Sequence, residues 1–400
     1  MSILLKNVNI VDAGCDYIAD VLIKDKYIAK IGQDLDPYDN DNVFNCTGLT
    51  LMPSFVDLHA HFRQPGFEQK ETVKTGSLAA LKGGYTLVNL MANTKPVAND
   101  MVVVDFVLEE SKRLDLINVH QTASVTNDFD GVSLEHLKDI DGEKVLFISD
   151  DGRGIVSNKT SYLSMKFAKE NGFVIMTHAE DKELTPIDYR LSEDVITIRD
   201  LYLCKMTGAR LHMSHVSTKD SINAIKIAKD HFTNVTCEVT PHHLSLYDND
   251  FRVNPPIRTS SDVDTIIKAI KTGVVDAIST DHAPHTAQDK QNGAPGLVGL
   301  ETAFCVCYST LVKSGHISLN HLSSLMSLNP YKIFQNRYPN RGLIRENYIA
   351  DLTLIDLNKK IKVDPENFAT KGRATPFAGK EFYGDIKMTL RDGIIKYNNF

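Results

Sequence analysis

From Leu51 onward the chain alternates short apolar runs with amphipathic stretches, the pattern of repeated β-α units. Eight runs stand out: Leu51–Leu58, Tyr85–Met91, Ile117–Val125, Lys144–Ser149, Phe173–Thr177, Arg210–Ser214, Val235–Thr240 and Val274–Thr280. Eight is the number of strands that closes a parallel barrel. Helical periodicity lies between them, at Glu71–Lys82, Met101–Leu114, Ser161–Asn171, Ser192–Thr207 and Lys219–Asp230, with Gly83-Gly84, Gly172 and Gly208 at the expected helix ends. The first fifty residues lack that rhythm and read as strands at Leu4–Val11, Val21–Ile23 and Tyr27–Ile31. After about Leu343 strand-like text returns at Ala350–Asp356, Ile386–Arg391 and Ile394–Tyr397, the last two flanking the turn signal Asp392-Gly393. The expected fold is therefore α/β: a TIM-like (β/α)8 barrel over residues 51–342, with a small β-sandwich composed of residues 1–50 and 343–400.

Composition narrows the class of partner. A 400-residue chain that is 42% hydrophobic can bury one large core and a smaller satellite. A net charge of −7 offers no attraction to nucleic acid or to an anionic membrane, which favours a small-molecule substrate. No apolar stretch reaches the ~20 residues needed to span a bilayer, and the N-terminal text has no signal-peptide order. Six cysteines are scattered, mostly within apolar segments. A soluble, reduced, cytoplasmic protein is expected.

Candidate chemistry gathers at one end of the runs. His59-Ala-His61 follows the first, Asp150-Asp151 the fourth, His178 the fifth, His215 the sixth and Asp281 the eighth. Residues i and i+2 of a strand share a face, so His59 and His61 can turn toward one cation. Barrel enzymes carry their active sites at the C-terminal strand ends, where all these residues fall. Each alone has a plain alternative: a capped histidine, or an aspartate starting the next helix. Together they can hold two divalent ions about 3.5–4 Å apart with one carboxylate bridging. Spacing alone leaves Asp150 and Asp151 undecided, and His212 stands as the alternative to His215.

The chain resembles the class I dihydroorotases of the amidohydrolase superfamily. The similarity is carried by Pro53-Ser-Phe-Val-Asp-Leu-His-Ala-His-Phe-Arg-Gln-Pro-Gly66, Met91-Ala-Asn-Thr-Lys-Pro96, Ser149-Asp-Asp-Gly152, His215-Val-Ser-Thr218, Thr240-Pro-His-His243, Asn254-Pro-Pro256, Asp281-His-Ala-Pro-His285 and Gly299-Leu-Glu-Thr302. H-x-H alone marks only the superfamily, whereas the combined set is specific. The resemblance implies one Zn2+ on His59, His61 and Asp281 and a second on His178 and His215, with Asp151 bridging. It favours Asp151 over a carboxylated lysine, because Lys144 opens its run at the wrong end of the barrel. Asp281 is implied as the catalytic base and then acid, with His61, Arg63, Asn93, Asn254, His285, Pro295 and Gly296 meeting the substrate. Arg63 is expected to pair with the substrate carboxylate.

The implied reaction is the reversible cyclisation of N-carbamoyl-L-aspartate to L-dihydroorotate with release of water, in pyrimidine biosynthesis. The resemblance also implies a homodimer and an association with aspartate carbamoyltransferase. A hydantoinase- or allantoinase-like enzyme and a noncatalytic scaffold subunit are the other readings. The chain departs from the family pattern at Gln64, at Met91-Ala92, and in short segments between His178 and Ser192 and between His285 and Gly296. The last of these bears directly on the backbone expected to meet the ring.

Overall fold

Residues far apart in sequence meet in one sheet. The computed structural model describes residues 2–37, 41–232, 234–335 and 337–400. Its eight-stranded sheet holds β1 (Ser2–Val11), β2 (Asp16–Lys24), β3 (Tyr27–Gly32), β4 (Asp41–Asn45) and β5 (Thr50–Pro53) together with strands Leu352–Lys362, Glu381–Arg391 and Ile394–Asn398. β5 pairs with Leu352–Ile355 on one side and with β1 on the other. β1 pairs with β4 over its first half and β5 over its second, with a register irregularity between Leu5 and Val8 in its pairing to β2. Such an irregularity bends a sheet. Its inner face packs Ile3, Leu5, Ile10 and Leu51 against Leu352, Leu354, Met388 and Leu390, which gives the β-sandwich unit its own core.

The apolar run read as a single strand, Leu51–Leu58, is two. Residues through Pro53 belong to the terminal sheet, and β6 (Phe55–Ala60) opens the barrel. Ser54 sits at the turnover, its amide donating to Asp351 O. We propose the passage between the two units there, three residues beyond the boundary expected at 51. A one-letter apolar pattern cannot show this, because both strands are buried throughout.

The barrel continues through β7 (Tyr85–Leu90), β8 (Asn118–Gln121), β9 (Phe147–Ile148), β10 (Val174–Thr177), β11 (Arg210–Met213), β12 (Val235–Val239) and β13 (Ala277–Ile278), each parallel to its neighbour in chain order. Parallel bridges Ala123–Ile148 and Ala60–His282 close the gaps between the third and fourth strands and between the eighth and first. Several strands are shorter than their apolar runs. Lys144 lies outside, paired with Asp105 at 2.7 Å. Val274 follows the turn just after the preceding helix, its amide donating to Ala269 O.

Helices α1 (Val73–Lys82), α2 (Met101–Leu114), α3 (Asn158–Asn171), α4 (Tyr189–Thr207), α5 (Lys219–His231), α6 (Pro241–Ser245) and α7 (Ser260–Lys271) connect these strands. Side chains of Thr72, Asp100, Ser157, Asp188, Thr218 and Thr240 cap the first six by accepting early backbone amides. Gly172 and Gly208 end α3 and α4 in the left-handed region, as expected from the sequence. The N-terminal mouth of the barrel is plugged. Phe334, just after helix Asn329–Ile333, packs at 5.1 Å from Phe147 and 5.4 Å from His120. The candidate ligands lie at the opposite, C-terminal strand ends.

Candidate metal centre

The strand ends bring four predicted histidines onto one predicted carboxylate. Asp151 Oδ1 lies 3.2 Å from His59 Nε2, 3.2 Å from His178 Nδ1 and 3.4 Å from His215 Nε2, while its Oδ2 lies 3.5 Å from His61 Nε2. Asp281 Oδ1 lies 3.2 Å from His61 Nε2 and 3.8 Å from His59 Nε2. Two groups with metal-ligand spacing result, His59 with His61 and Asp151, and His178 with His215 and Asp151. They share Asp151, and every member is buried.

Donor chemistry supports a cation here. His59 Nδ1 and His61 Nδ1 are engaged by Glu238 Oε1 at 2.9 Å and Asn93 Oδ1 at 2.8 Å, so each ring presents its bare Nε2 inward. His178 does the reverse, giving Nε2–H to Glu180 at 3.0 Å and turning Nδ1 to the centre. The fully buried His59 Nε2 has no hydrogen-bond partner among the described residues. His178 Nδ1 and His215 Nε2 converge to 2.9 Å. Inward lone pairs around shared carboxylates are what a divalent ion requires.

Without a cation, protons must balance the acids. Burial pushes the Asp151 carboxyl up, but the surrounding imidazoles of His59, His178 and His215 outweigh it and hold the group well below the usual range. Burial likewise opposes charge on His178, yet Asp151 and Glu180 raise it to about 9. His59 is also raised, by Asp151 and Glu238 against its own burial.

The neighbouring aspartate is separate. Asp150 Oδ1 accepts the amides of Val125 and Thr126 at 2.7 and 3.0 Å, and its Oδ2 takes the Thr126 hydroxyl. His212, the alternative to His215, faces Glu238 Oε2 at 3.1 Å and lies 2.8 Å from Thr236 Oγ1. Three acids were not singled out from sequence. Glu238 holds both His59 and His212; Glu180 holds His178; Asp57 accepts the amides of His59 and Thr280 at 3.2 and 2.9 Å and so ties the first strand to the eighth. The signal was present for two of them, since Asp57 and Glu238 interrupt apolar runs where an unpaired charge is costly.

Backbone strain marks the same places. Arg63, His215 and Asp281 take φ of 61°, 35° and 48°. Other described residues enter this region too, mostly Asn and Asp, but Arg63 and His215 are neither.

A cleft of about 180 Å³ opens above the centre, lined by His61, Arg63, Asn93, Asp151, His178, His215, Asn254, Asp281, His285, Pro295 and Gly296. His59 lies beneath it. Arg63 donates to Pro284 O at 3.3 Å and faces His285 Nε2 at 3.4 Å, but makes no ion pair among the described residues. Burial, followed by the charges of Arg63 and Lys70, lowers His285 to about 3, so it stands neutral. The short 285–296 segment is clamped rather than loose: Lys290 Nζ donates to Arg252 O, Ala294 O and Gly296 O at 3.0, 2.8 and 2.8 Å. Gly296 has φ of 134°, and a Cβ there would meet Ala283 O at 2.5 Å, so no other residue fits. Gln64, a departure in sequence, accepts the Val73 amide at 2.9 Å and helps start α1.

A model of the Amidohydrolase family matches residues 50–395. The chain is 52% identical over 400 residues to a dihydroorotase of Clostridium botulinum (strain Eklund 17B / Type B), covering 99% of this chain and 100% of that protein. The chain belongs to the amidohydrolase family, among its dihydroorotases. Another dihydroorotase of this family, from Lactobacillus gasseri, is 36% identical over 425 residues, with 99% of each chain covered. Among solved structures, the L-hydantoinase (dihydropyrimidinase) of Arthrobacter aurescens superposes with a TM-score of 0.90 at 23% identity, covering 99% of this chain and 96% of that one. The dihydropyrimidinase of Brevibacillus agri NCHU1002 gives 0.87 at 24% identity, covering 100% and 95%. These two likenesses establish the amidohydrolase fold, the barrel with its β-sandwich.

Proposed function

We propose that the chain interconverts N-carbamoyl-L-aspartate and L-dihydroorotate, with ring closure as the biosynthetic direction. The observation that carries the reading is Arg63, a half-buried cation with no carboxylate partner among the described residues, in the same cleft as the two His/Asp groups. A guanidinium there selects a cyclic amide that bears a carboxylate over one that does not.

His59, His61 and Asp281 would hold one zinc ion and His178 and His215 another, with Asp151 between them. Bound there, such ions polarise the scissile carbonyl and lower the pKa of an attacking water toward ~7. Asp281, at the edge of the cleft, takes the proton of that water during hydrolysis and delivers it to the departing ring nitrogen; in cyclisation it runs the transfer backwards. Arg63, Asn93 and His285 receive the substrate carboxylate, while Asn254 and the backbone at Pro295 and Gly296 meet the ring.

No described helix is long and apolar enough to cross a membrane. The reading places the enzyme in the cytoplasm, in keeping with six free cysteines. A homodimer is proposed on α4, where Leu191, Val195, Ile198, Tyr202 and Met206 form an exposed apolar stripe at helical spacing. Association with aspartate carbamoyltransferase rests on the family resemblance alone.

The test is a panel of dihydroorotate, hydantoin, dihydrouracil and allantoin on metal-loaded enzyme. Dihydroorotate should dominate, and Arg63→Met should raise its KM by about 100-fold or more, as expected for a lost buried charge pair. Preference for an uncharged ring, or indifference to Arg63→Met, overturns the reading.

A further inference from the structure

Asn254 lines the cleft, and both ends of its amide are already held by groups the reaction does not consume. Its Oδ1 accepts the Tyr189 hydroxyl at 2.6 Å. Its Nδ2 donates to Glu180 Oε2 at 3.2 Å. The same carboxylate oxygen accepts from His178 Nε2 at 3.0 Å, and Oε1 accepts from the Thr185 hydroxyl at 3.0 Å. Tyr189, the first residue of α4, is fixed in turn. The Arg258 guanidinium sits 5.9 Å from its ring centre and pairs with Glu193 at 2.9 Å.

A carboxylate only accepts, so the end of Asn254 that faces Glu180 is the nitrogen. Flipping the amide would set its carbonyl against the carboxylate. Glu180 takes one of the two N–H groups. The contact from Nδ2 to His178 Nε2 is 3.5 Å and joins two donors, so it does not use the other. That second N–H is left to the cleft.

We propose that Glu180 and Tyr189 are positioning residues that lock Asn254 as a donor toward a carbonyl oxygen of the substrate, and that Glu180 ties this lock to the ring of His178. The cleft then reads hydrogen-bond polarity at one point of the ring. A ureide carbonyl is accepted there, whereas a ring presenting N–H at that point meets another donor. This rests on the proposed cyclic-amide chemistry but adds two residues that the family resemblance did not single out.

The experiment is a double-mutant cycle on metal-loaded enzyme, run with whichever cyclic amide the panel shows to be turned over, with metal content and thermal unfolding measured for every variant. Tyr189→Phe frees the carbonyl end of Asn254 and should raise KM about tenfold, the equivalent of one hydrogen bond, with kcat changed much less and metal content retained. In an Asn254→Ala background the same substitution should add nothing. Glu180→Gln, which can present either end of its own amide, should raise KM and also weaken metal retention. A native KM in Tyr189→Phe, or an equal effect in the Asn254→Ala background, overturns the lock. The substrate panel on unmodified enzyme independently decides the proposed function, so a failure of one is not mistaken for a failure of the other.

Discussion

Glu238→Gln removes a charge while keeping the shape of the group on which His59 leans. Glu238 is fully buried. Its Oε1 accepts from His59 Nδ1 at 2.9 Å, and its Oε2 faces His212 Nε2 at 3.1 Å and takes the Ser279 hydroxyl. Burial pushes its carboxyl up, but the bonds from His212 and His59 hold it well below the usual range. In the glutamine variant the remaining oxygen still accepts from His59. The new N–H turns to His212, which can offer a bare Nε2 because its Nδ1 reaches Thr236 Oγ1 at 2.8 Å. Folding should survive while His59 loses its anionic partner. Loss of such a partner typically weakens metal affinity by about 10–100-fold, or ~1.4–2.8 kcal/mol. Glu238→Ala is a different perturbation. It strands buried donors at ~1–3 kcal/mol each, and their sum approaches the ~5–15 kcal/mol that holds a typical fold together. The assay is competition for zinc between each protein and a chromophoric chelator at fixed pH, with melting of the metal-free forms alongside. Native metal affinity in a folded Glu238→Gln protein, or a Glu238→Ala protein that melts with the native one, refutes the argument.

Other outcomes follow from the same geometry. Asp281→Asn should keep most of its metal and lose about 10²–10⁴ in kcat, the usual worth of a general acid-base group; a near-native rate sinks the assigned proton transfer. Metal uptake should release protons and tighten as pH rises toward 9, because neighbouring carboxylates raise His178 to about 9 in the metal-free protein; a pH-independent affinity between 6 and 9 contradicts this. Asp262 joins Arg190 of α4 at 2.7 Å and accepts the Lys219 amide that opens α5 at 2.9 Å. Burial opposes its charge, but Arg190, Thr259 and Lys219 hold its carboxyl below the ordinary range. An acid so depressed stabilises the fold above its unfolded value of ~3.9, and that contribution fades as pH falls through and below it. Asp262→Asn should therefore cost ~1–2 kcal/mol at pH 7 and much less near pH 3, read as melting temperatures that converge in acid.

Much of the fold was legible because each barrel strand lies within an apolar run and glycines such as Gly172 and Gly208 mark helix ends. What escaped was local. Leu51–Leu58 hid a change of sheet, since burial on both faces erases the alternation that would have marked it. The strand-end residues were legible as ligand types, but their directions were not. His215 and Asp281 leave their strands with positive φ, so simple alternation beyond the last strand residue no longer says where a side chain points. Asp150 and Asp151 differ only in three-dimensional partners. His120 shows why a histidine alone says little: it is buried, bonded to Asn89 and to the Leu146 amide, and burial lowers it to about 3. Of the residues that hold the ligands, Glu238 was visible only as a charge inside an apolar run, and Glu180, beyond the end of its strand, carried no such signal.

The sheet that joins β1 and β5 to Leu352–Lys362 has a bearing on biosynthesis. During translation the early strands emerge roughly 15–60 s before their partners, at ~5–20 residues per second. For that interval an unpaired edge and a greasy face are open to solvent, while the barrel grows beside them. Chaperone dependence and aggregation of stalled nascent chains should therefore centre on residues 2–53, and a ribosome arrested before Leu352 should carry a polypeptide unable to lock its first layer.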